Sequence, residues 1–482
     1  MNELPNGWEE CSLDEIVSDV SYGYTAKSSA DSGDARMLRI TDIQNDKVDW
    51  GRVPFCEISD TVKEKYLLRE MDLVFARTGA TVGKSFLLRE HVPNAVFASY
   101  LIRVRCVDQD MAGYLKRFFD SPAYWNQITE FSAGIAQPNV NGSKLKALKV
   151  PLAPLGEQKR IADKLDTTLA RVDACRERLD SVPAILRRFE KSVVAAATSG
   201  RLTEDWRADG AARGHDASNE LKLWHSQRAK TEKKLLTPPD TTYWDQEIPT
   251  GWTVASVHEF AECLDRLRVP IKREDRKNTQ GLYPYYGANG EVSRIDEYIF
   301  DDELVLVTED ETFYGREKPI AYRSSGKCWV NNHAHVLRAS SPAANDYLCY
   351  ALMYYDVIPW LSGTTGRAKL TQQALNRLPI AVPPEVELVE IVRRVSILIA
   401  FADRLQARVA KAKAAVDCLT PALLAKAFRG ELVPQDPDDE PVTELLKRLT
   451  KQRSGESKAA KGKRAKRAAA IALGEQEPAS VA

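Results

Sequence analysis

The sequence lacks a membrane-length apolar run, a leader-like start, a metal signature and every catalytic motif sought in it. Its longest apolar stretch, Val395-Ser396-Ile397-Leu398-Ile399-Ala400-Phe401-Ala402, is far short of the roughly 18 residues that span a bilayer, and reads as buried helix. Met1-Asn2-Glu3-Leu4-Pro5 begins neither a signal peptide nor a transit peptide, so a cytoplasmic protein without a membrane partner is expected. The eight cysteines include no Cys-x-x-Cys and no metal-like spacing, which points to reduced thiols in a reducing compartment. His333 and His335 are the only close histidine pair. At strand spacing they share a face, where packing or base contact is favoured over metal binding, and no metal site is expected. Lys and Arg (68) balance Asp and Glu (68), so the chain is not basic as a whole; binding to a polyanion would rest on how the charges are distributed. The Asn/Asp-Pro-Pro-aromatic tetrapeptide of amino-methyltransferases, a complete P-loop and a Gly-x-Ser-x-Gly elbow are all missing. A non-catalytic recognition protein is the expectation, with no cofactor of its own.

What the sequence does contain is itself, twice. A shift of 230 aligns Leu145 with Leu375, Leu148 with Leu378, Glu157 with Glu387, Ile161 with Ile391, Gly200 with Gly430 and Leu202 with Leu432. A shift of 244 lays Pro5-Asn6-Gly7-Trp8 on Pro249-Thr250-Gly251-Trp252. The second copy is therefore shorter in its variable part. Two divergent modules, each followed by a similar helical segment, give one chain two related but unlike binding surfaces.

Within residues 8–152, Met37–Ile43, Asp72–Arg77 and Ala98–Val104 read as strands and 110–131 as helix. Residues 252–383 repeat the plan, with strands at Glu303–Val307 and Ala334–Leu337 and a helix over Asp346–Leu361. The fold class expected is α+β. After the second module, Leu388, Ile391, Val395, Leu398, Ala402, Leu405, Val409, Ala412, Val416 and Leu419 recur at steps of three and four, the seam of a coiled coil. Ile161, Leu165, Thr168, Val172, Cys175, Leu179, Val182, Leu186 and Phe189 form the matching stripe, interrupted by Pro183, which is expected to kink or end it. Two long helices packed on each other should separate two mixed α/β modules. Residues 201–247 read as a linker with a helical piece around Leu221–Leu236, and 433–482 as a basic, disordered tail.

Gly79-Ala80-Thr81-Val82-Gly83-Lys84-Ser85 approaches a P-loop, but position 78 is Thr where the motif needs Gly. A turn presenting Lys84 fits better. At a shift of 232 Gly83 falls on Gly315 and Lys84 on Arg316, so both modules carry a glycine turn followed by a cation. Just before it, Arg77-Thr78 stands where the second module has Glu309-Asp310. Arginine suits the N7 and O6 acceptors of guanine, and carboxylates accept from the cytosine amino group; the alternative is that Glu309 and Asp310 only cap a turn. Phosphate-contacting and base-reading residue types gather nearby. Tyr22, Tyr24, Lys27 and Tyr100 accompany them in the first module, which Gln137, Asn139 and Asn141 close. Tyr283, Tyr286, Asn289, Lys318, Asn331, Asn332 and His333 lie in the second, closed by Arg367 and Lys369.

The Pro-x-Gly-Trp openings, the stretches Leu145-Lys146-Ala147-Leu148-Lys149-Val150-Pro151-Leu152 and Pro154-Leu155-Gly156-Glu157-Gln158-Lys159-Arg160-Ile161, and Ala425-Lys426-Ala427-Phe428-Arg429-Gly430-Glu431-Leu432-Val433 resemble the specificity subunit of type I restriction-modification systems. The resemblance covers nearly the whole chain. It implies a first target-recognition domain at 1–152, a central helical region at 153–200, a linker at 201–247, a second target-recognition domain at 248–383, a distal helical region at 384–432 and a tail at 433–482. It implies that the two domains read the halves of a split, asymmetric site on double-stranded DNA and that an antiparallel coiled coil sets the gap. Two methylation subunits, with restriction subunits joining them, are the implied partners, bringing S-adenosylmethionine, ATP and Mg. A coiled-coil scaffold without sequence-specific DNA binding is the alternative reading. The chain departs from the family pattern at Pro183 and at Ala195-Ala196-Ala197-Thr198-Ser199-Gly200, where an aromatic like Phe428 is usual.

Overall fold

The computed structural model describes residues 4–455 except 45, 80, 90, 133–139, 229–235, 272–280, 311–312 and 364–367. It divides into two compact units, residues 1–178 with 412–482 and residues 179–411. The division cuts through two long helices, Leu155–Thr198 and Glu385–Ala427, so each unit holds the first part of one helix and the last part of the other. Pro183 does not end the first helix: it removes one backbone hydrogen bond, at about 3 kcal/mol, while Leu186, Val193, Val194 and Ala197 beyond it are buried and hold the helical run to Thr198.

The first unit is built on a four-stranded antiparallel sheet of β1 (Val17–Tyr22), β2 (Leu73–Ala76), β3 (Ser85–Leu87) and β4 (Leu101–Cys106), in the order β1-β4-β2-β3. The expected strand over 98–104 lies a few residues later, because Leu101 to Val104 are the residues whose burial the sheet completes. The expected helix over 110–131 is two, Ala112–Phe119 and Pro122–Ser132, divided at Ser121-Pro122, where proline takes the first helical position. Met37–Ile43 is broken by a 3-10 turn closed by Asp42, with the short strand Ala35–Leu38 before it and Ile43–Gln44 after it; Ala35–Leu38 belongs to a second small sheet with Ala95–Phe97, Phe55–Cys56 and Ser28–Ser29. Here Arg176 of the long helix pairs with Asp417 of the other at 3.1 Å, and nearer its start Arg160 pairs with Asp439 in the segment that follows that other helix, at 2.6 Å. The segment expected to be disordered from 433 is helical over 442–455, because Val442, Leu445 and Leu449 form an apolar stripe buried in this unit's core.

The second unit repeats the frame. Strands β5 (Ala261–Cys263), β6 (Tyr283–Gly287), β7 (Gly290–Ile295), β8 (Phe300–Thr308), β9 (Ala321–Val330) and β10 (Ala334–Ala339) take the order β5-β10-β8-β9-β6-β7. The first four of that order match β1-β4-β2-β3 one for one, and the hairpin β6–β7 is added at the edge. The helix expected over Asp346–Leu361 is Pro342–Met353; Pro359 cannot continue it, since its ring would meet the carbonyl one turn back. The helical piece expected around 221–236 is Ala217–Arg228, with Ala217 in the core. The turn that follows the first long helix packs on the start of the second: Thr203 Oγ1 donates to Glu387 (2.7 Å) and the Leu202 carbonyl accepts from Arg394 (2.8 Å).

The anchors of the internal repeat turn out to touch one another. Trp8 Nε1 donates to Glu157 Oε2 at 3.0 Å, and Trp252 Nε1 to Glu387 Oε2 at 2.9 Å. Each indole meets a tyrosine edge-on at 6.4 Å, Tyr114 or Tyr347. Those tyrosine hydroxyls donate to the Pro151 and Ala381 carbonyls. Each Pro-x-Gly-Trp segment is cradled by the glycine that follows the other module: Gly430 (φ +71) faces Pro5, and Gly200 (φ +77) faces Pro249. A Cβ at Gly430 would lie 2.3 Å from Pro5 Cγ. Gly430→Ala is therefore expected to destabilise the first unit by about 2 kcal/mol, adding a left-handed backbone penalty to a steric one; a denaturant melt superimposable on the parent's would contradict it. Among the described residues no helix is long and apolar enough to cross a membrane.

Candidate nucleic-acid interface

The candidate site follows from strand polarity. In the first unit β1 and β2 end, and β3 and β4 begin, at the same side of the sheet: Tyr22 lies opposite Ile102, Ala76 opposite Leu101, and Phe75 opposite Ser85. The loops beyond those ends carry Arg77, Thr78, Lys84 and Tyr100. Arg77 is held by its backbone from two directions, its N–H donating to the Tyr100 carbonyl (3.0 Å) and its carbonyl accepting from Val140 (3.1 Å). Its guanidinium lies 5.0 Å from the centre of the Tyr22 ring, within cation–π range. Tyr22 is fixed in turn by its hydroxyl, which accepts from the Gly142 N–H at 2.9 Å. Asn141 caps the helix Gly142–Lys146, its side chain accepting from Lys144 N–H. Thr78 and Lys84 are exposed on a turn closed by Gly79 (φ +86) and Gly83 (φ +83). Burial pushes the Tyr100 hydroxyl above its usual pKa, with Arg39 opposing the shift; the group is a neutral donor.

The second unit repeats this scaffold with other side chains. The Leu370 N–H donates to the Glu309 carbonyl (2.9 Å), as Val140 does to Arg77. Thr371 caps the helix Gln372–Arg377 as Asn141 does its counterpart. Gly315 has φ +70 where Gly83 has +83. Exposed on this frame are His333, Lys369, Asn332 and Lys318. Asp310 accepts from His333 Nδ1 at 2.6 Å and lies 3.2 Å from Lys369 Nζ. Arg316 donates to Asn289 Oδ1 (2.7 Å) and to the Pro319 carbonyl (2.8 Å). Asn331 is buried, its side chain accepting from the His333 N–H, and shapes the turn rather than facing outward.

Beneath these loops lies a charged cluster that the sequence did not reveal. Buried His335 has Nδ1 2.6 Å from Asp265 Oδ2 and Nε2 2.7 Å from the Leu370 carbonyl. The buried ring is thus held at both nitrogens, by a carboxylate on one side and a backbone carbonyl on the other. Arg268 donates to Glu309 (2.8 Å) and to the Ala334 carbonyl, and lies 3.2 Å from Asp265. Burial by itself would raise the Asp265 carboxyl, but the His335 hydrogen bond and the charges of His335 and Arg268 outweigh it and hold it below the usual aspartate range. Asp265, Glu309 and His335 bring three potential ligand atoms within 4.8 Å; the cation among them is the Arg268 guanidinium. Glu309 is thus turned inward onto a counter-ion. Asp265 and Arg268 were illegible as partners because nothing in Asp265-Arg266-Leu267-Arg268 has a periodicity or motif to mark it.

Not every candidate joins these clusters. Tyr24 packs on Tyr66 at 5.3 Å, and Lys27 lies exposed beside the strand Ser28–Ser29 of the small sheet. Tyr283 meets Tyr298 edge-on at 5.0 Å with Lys327 over both rings, and Tyr286 meets Tyr322 at 5.9 Å. Gln137, Asn139 and Arg367 lie outside the described residues.

Comparison with known proteins agrees with this two-module layout. The family profile described as type I restriction modification DNA specificity domain matches residues 5–183 and 249–412, well over half of the chain. The chain is 28% identical to the type I restriction enzyme EcoKI specificity subunit of Escherichia coli (strain K12), over 96% of this chain and 99% of that protein. It is 29% identical to the StySPI specificity subunit of Salmonella potsdam, over 90% and 91%. Among solved structures, a chain from a study of complex assembly and conformational transition of the type I R-M system aligns with a TM-score of 0.56 at 19% identity, covering 90% of this chain and 100% of that one. The HsdS subunit from Thermoanaerobacter tengcongensis aligns with 0.53 at 18%, covering 89% and 98%. With the duplicated frame and the profile match over both halves, the chain belongs to the type I restriction modification DNA specificity family.

Proposed function

We propose that this chain is the sequence-specific DNA-recognition subunit of a type I restriction-modification complex, each module reading one half of a bipartite, asymmetric site. One observation carries the reading. The two modules hold the same loops on the same strand ends, yet the groups left outward differ: Arg77, Thr78, Lys84 and Tyr100 in one, His333, Lys369 and Lys318 in the other. Equal scaffolds with unlike donors and acceptors suit two unlike half-sites, because base identity is read through donor and acceptor pattern in the major groove. The exposed lysines at the same loops, Lys84, Lys318 and Lys369, supply phosphate contacts that position without specifying. The chain recognises; the chemistry lies in its partners. Two methylation subunits dock on the helical regions and restriction subunits join them, carrying S-adenosylmethionine, ATP and Mg, while the antiparallel helices set the gap between half-sites.

The test is co-expression with the methylation subunit and base-by-base mapping of adenine methylation. A split motif with two unlike halves is expected, and exchange of residues 8–152 for those of a relative should change one half while leaving the other and the gap intact. An intact complex that adds no methylation would overturn the reading in favour of a coiled-coil scaffold.

A further inference from the structure

We propose that Arg77 reads a guanine in the half-site of the first module. The inference rests on the DNA-recognition reading above and adds to it a residue and a base. Most arginines in this module are committed: Arg39, Arg52, Arg89, Arg103, Arg105 and Arg117 each pair with an aspartate, and Arg36 donates to the Val53 carbonyl at 2.7 Å. Arg77 is held in place but without an acceptor for its side chain among the described residues. Its backbone is tied to Tyr100 and Val140, its guanidinium rests on the Tyr22 ring, and among the described residues no hydrogen bond or ion pair engages its side chain. Its Nε is shielded from solvent without a partner. With its centre over the Tyr22 ring, the guanidinium keeps its two terminal nitrogens uncommitted. That is the donor pair which matches guanine O6 and N7, and which a lysine's single ammonium lacks.

The second module shows what the same position looks like when it is not a reader. Glu309, on the corresponding strand end, is turned onto Arg268 at 2.8 Å, so its carboxylate is spent inside the protein. The outward groups there are His333 and Lys369. An arginine-to-guanine contact from this strand end is therefore expected in the first half of the target, at one position, and not from the corresponding strand end of the second module.

The experiment uses the full chain assembled with its methylation subunit and a library of split targets, read by methylation at each base combination. R77A is expected to lower methylation of the best site by about ten- to a hundredfold and to relax the preference for guanine at one position of the first half-site, leaving the second unchanged. R77Q is expected to move that position toward adenine, which glutamine reads through N6 and N7. A parent chain that yields a split motif while R77A and R77Q retain the full preference would overturn this inference and leave the recognition reading standing. So would a loss spread evenly over all bases, the mark of a phosphate contact. A parent chain that yields no split motif overturns both.

Discussion

Replacing Glu387 by alanine should destabilise the second unit by about 3–5 kcal/mol, whereas the same change at Glu157 should cost the first unit only about 1–2 kcal/mol. The two carboxylates occupy the same place: each is the third residue of a long helix, each is buried, and each accepts from the indole of its Pro-x-Gly-Trp segment. Cavity and indole terms are therefore alike in both substitutions. The difference is the second oxygen. Glu387 Oε1 accepts from Thr203 Oγ1 at 2.7 Å and is ion-paired with Arg207, so its loss strands a half-buried cation. Glu157 Oε1 has no hydrogen-bond partner. Burial pushes the Glu157 carboxyl above the usual glutamate range, only partly opposed by Trp8 and Arg160. The folded state then holds a proton that the unfolded chain releases, so the stability of the first unit falls as pH rises from the usual glutamate value to the raised one, and is flat above. Glu157→Gln removes that slope and leaves an amide that still accepts from the indole. Hydrogen exchange followed unit by unit checks both points; equal losses at the two sites would show that the Arg207 pair contributes nothing.

These contacts explain which parts of the structure were legible in advance. Self-alignment marks Trp8, Glu157, Gly200 and their second copies because each position needs one residue type: an indole donor, an acceptor at a helix start, a glycine with positive φ. It does not show that Gly430 serves Pro5 rather than the segment beside it, since an offset between copies carries no information about which copy packs on which. Strand positions slid where burial, not alternation, decides the element, as at Leu101–Cys106. The helix over 442–455 was hidden by its polar residues, three buried apolar residues among Glu444, Lys447, Arg448, Lys451, Gln452 and Arg453. At the candidate interface Arg77, Tyr22 and Asn141 were legible by type, and their meeting became visible only through the strand ends. Glu309 was the misleading one: a carboxylate that suits a base edge is fully accounted for by Arg268, a residue whose partner lies far along the chain.

Asp265→Ala should destabilise the second module by about 3–5 kcal/mol and remove preference at the second half-site while sparing the first. Asp265 is buried and accepts from the Val336 N–H at 2.9 Å and from His335 Nδ1 at 2.6 Å, with Arg268 at 3.2 Å. Without it, the His335 ring loses its Nδ1 partner and the Arg268 guanidinium is left with the single carboxylate of Glu309 in a site largely closed to water. Glu309 and His335 are also the residues from which the reading loops spring, Glu309 N–H donating to the His333 carbonyl and Leu370 N–H to the Glu309 carbonyl. The loss therefore reaches His333, Lys369 and Asp310 directly. Because the Asp265 carboxyl is held below the usual range, its contribution is present in full above the ordinary aspartate value and disappears as pH falls through its lowered one. Acid should thus loosen the parent's second module only below about pH 4, and D265N, which keeps an acceptor for Val336 but no charge, should show no such acid step. Methylation mapped across half-site libraries gives the functional side. A D265A chain with unchanged exchange protection and undiminished preference at the second half would mean that the Arg268–Glu309 pair holds those loops without help from the aspartate.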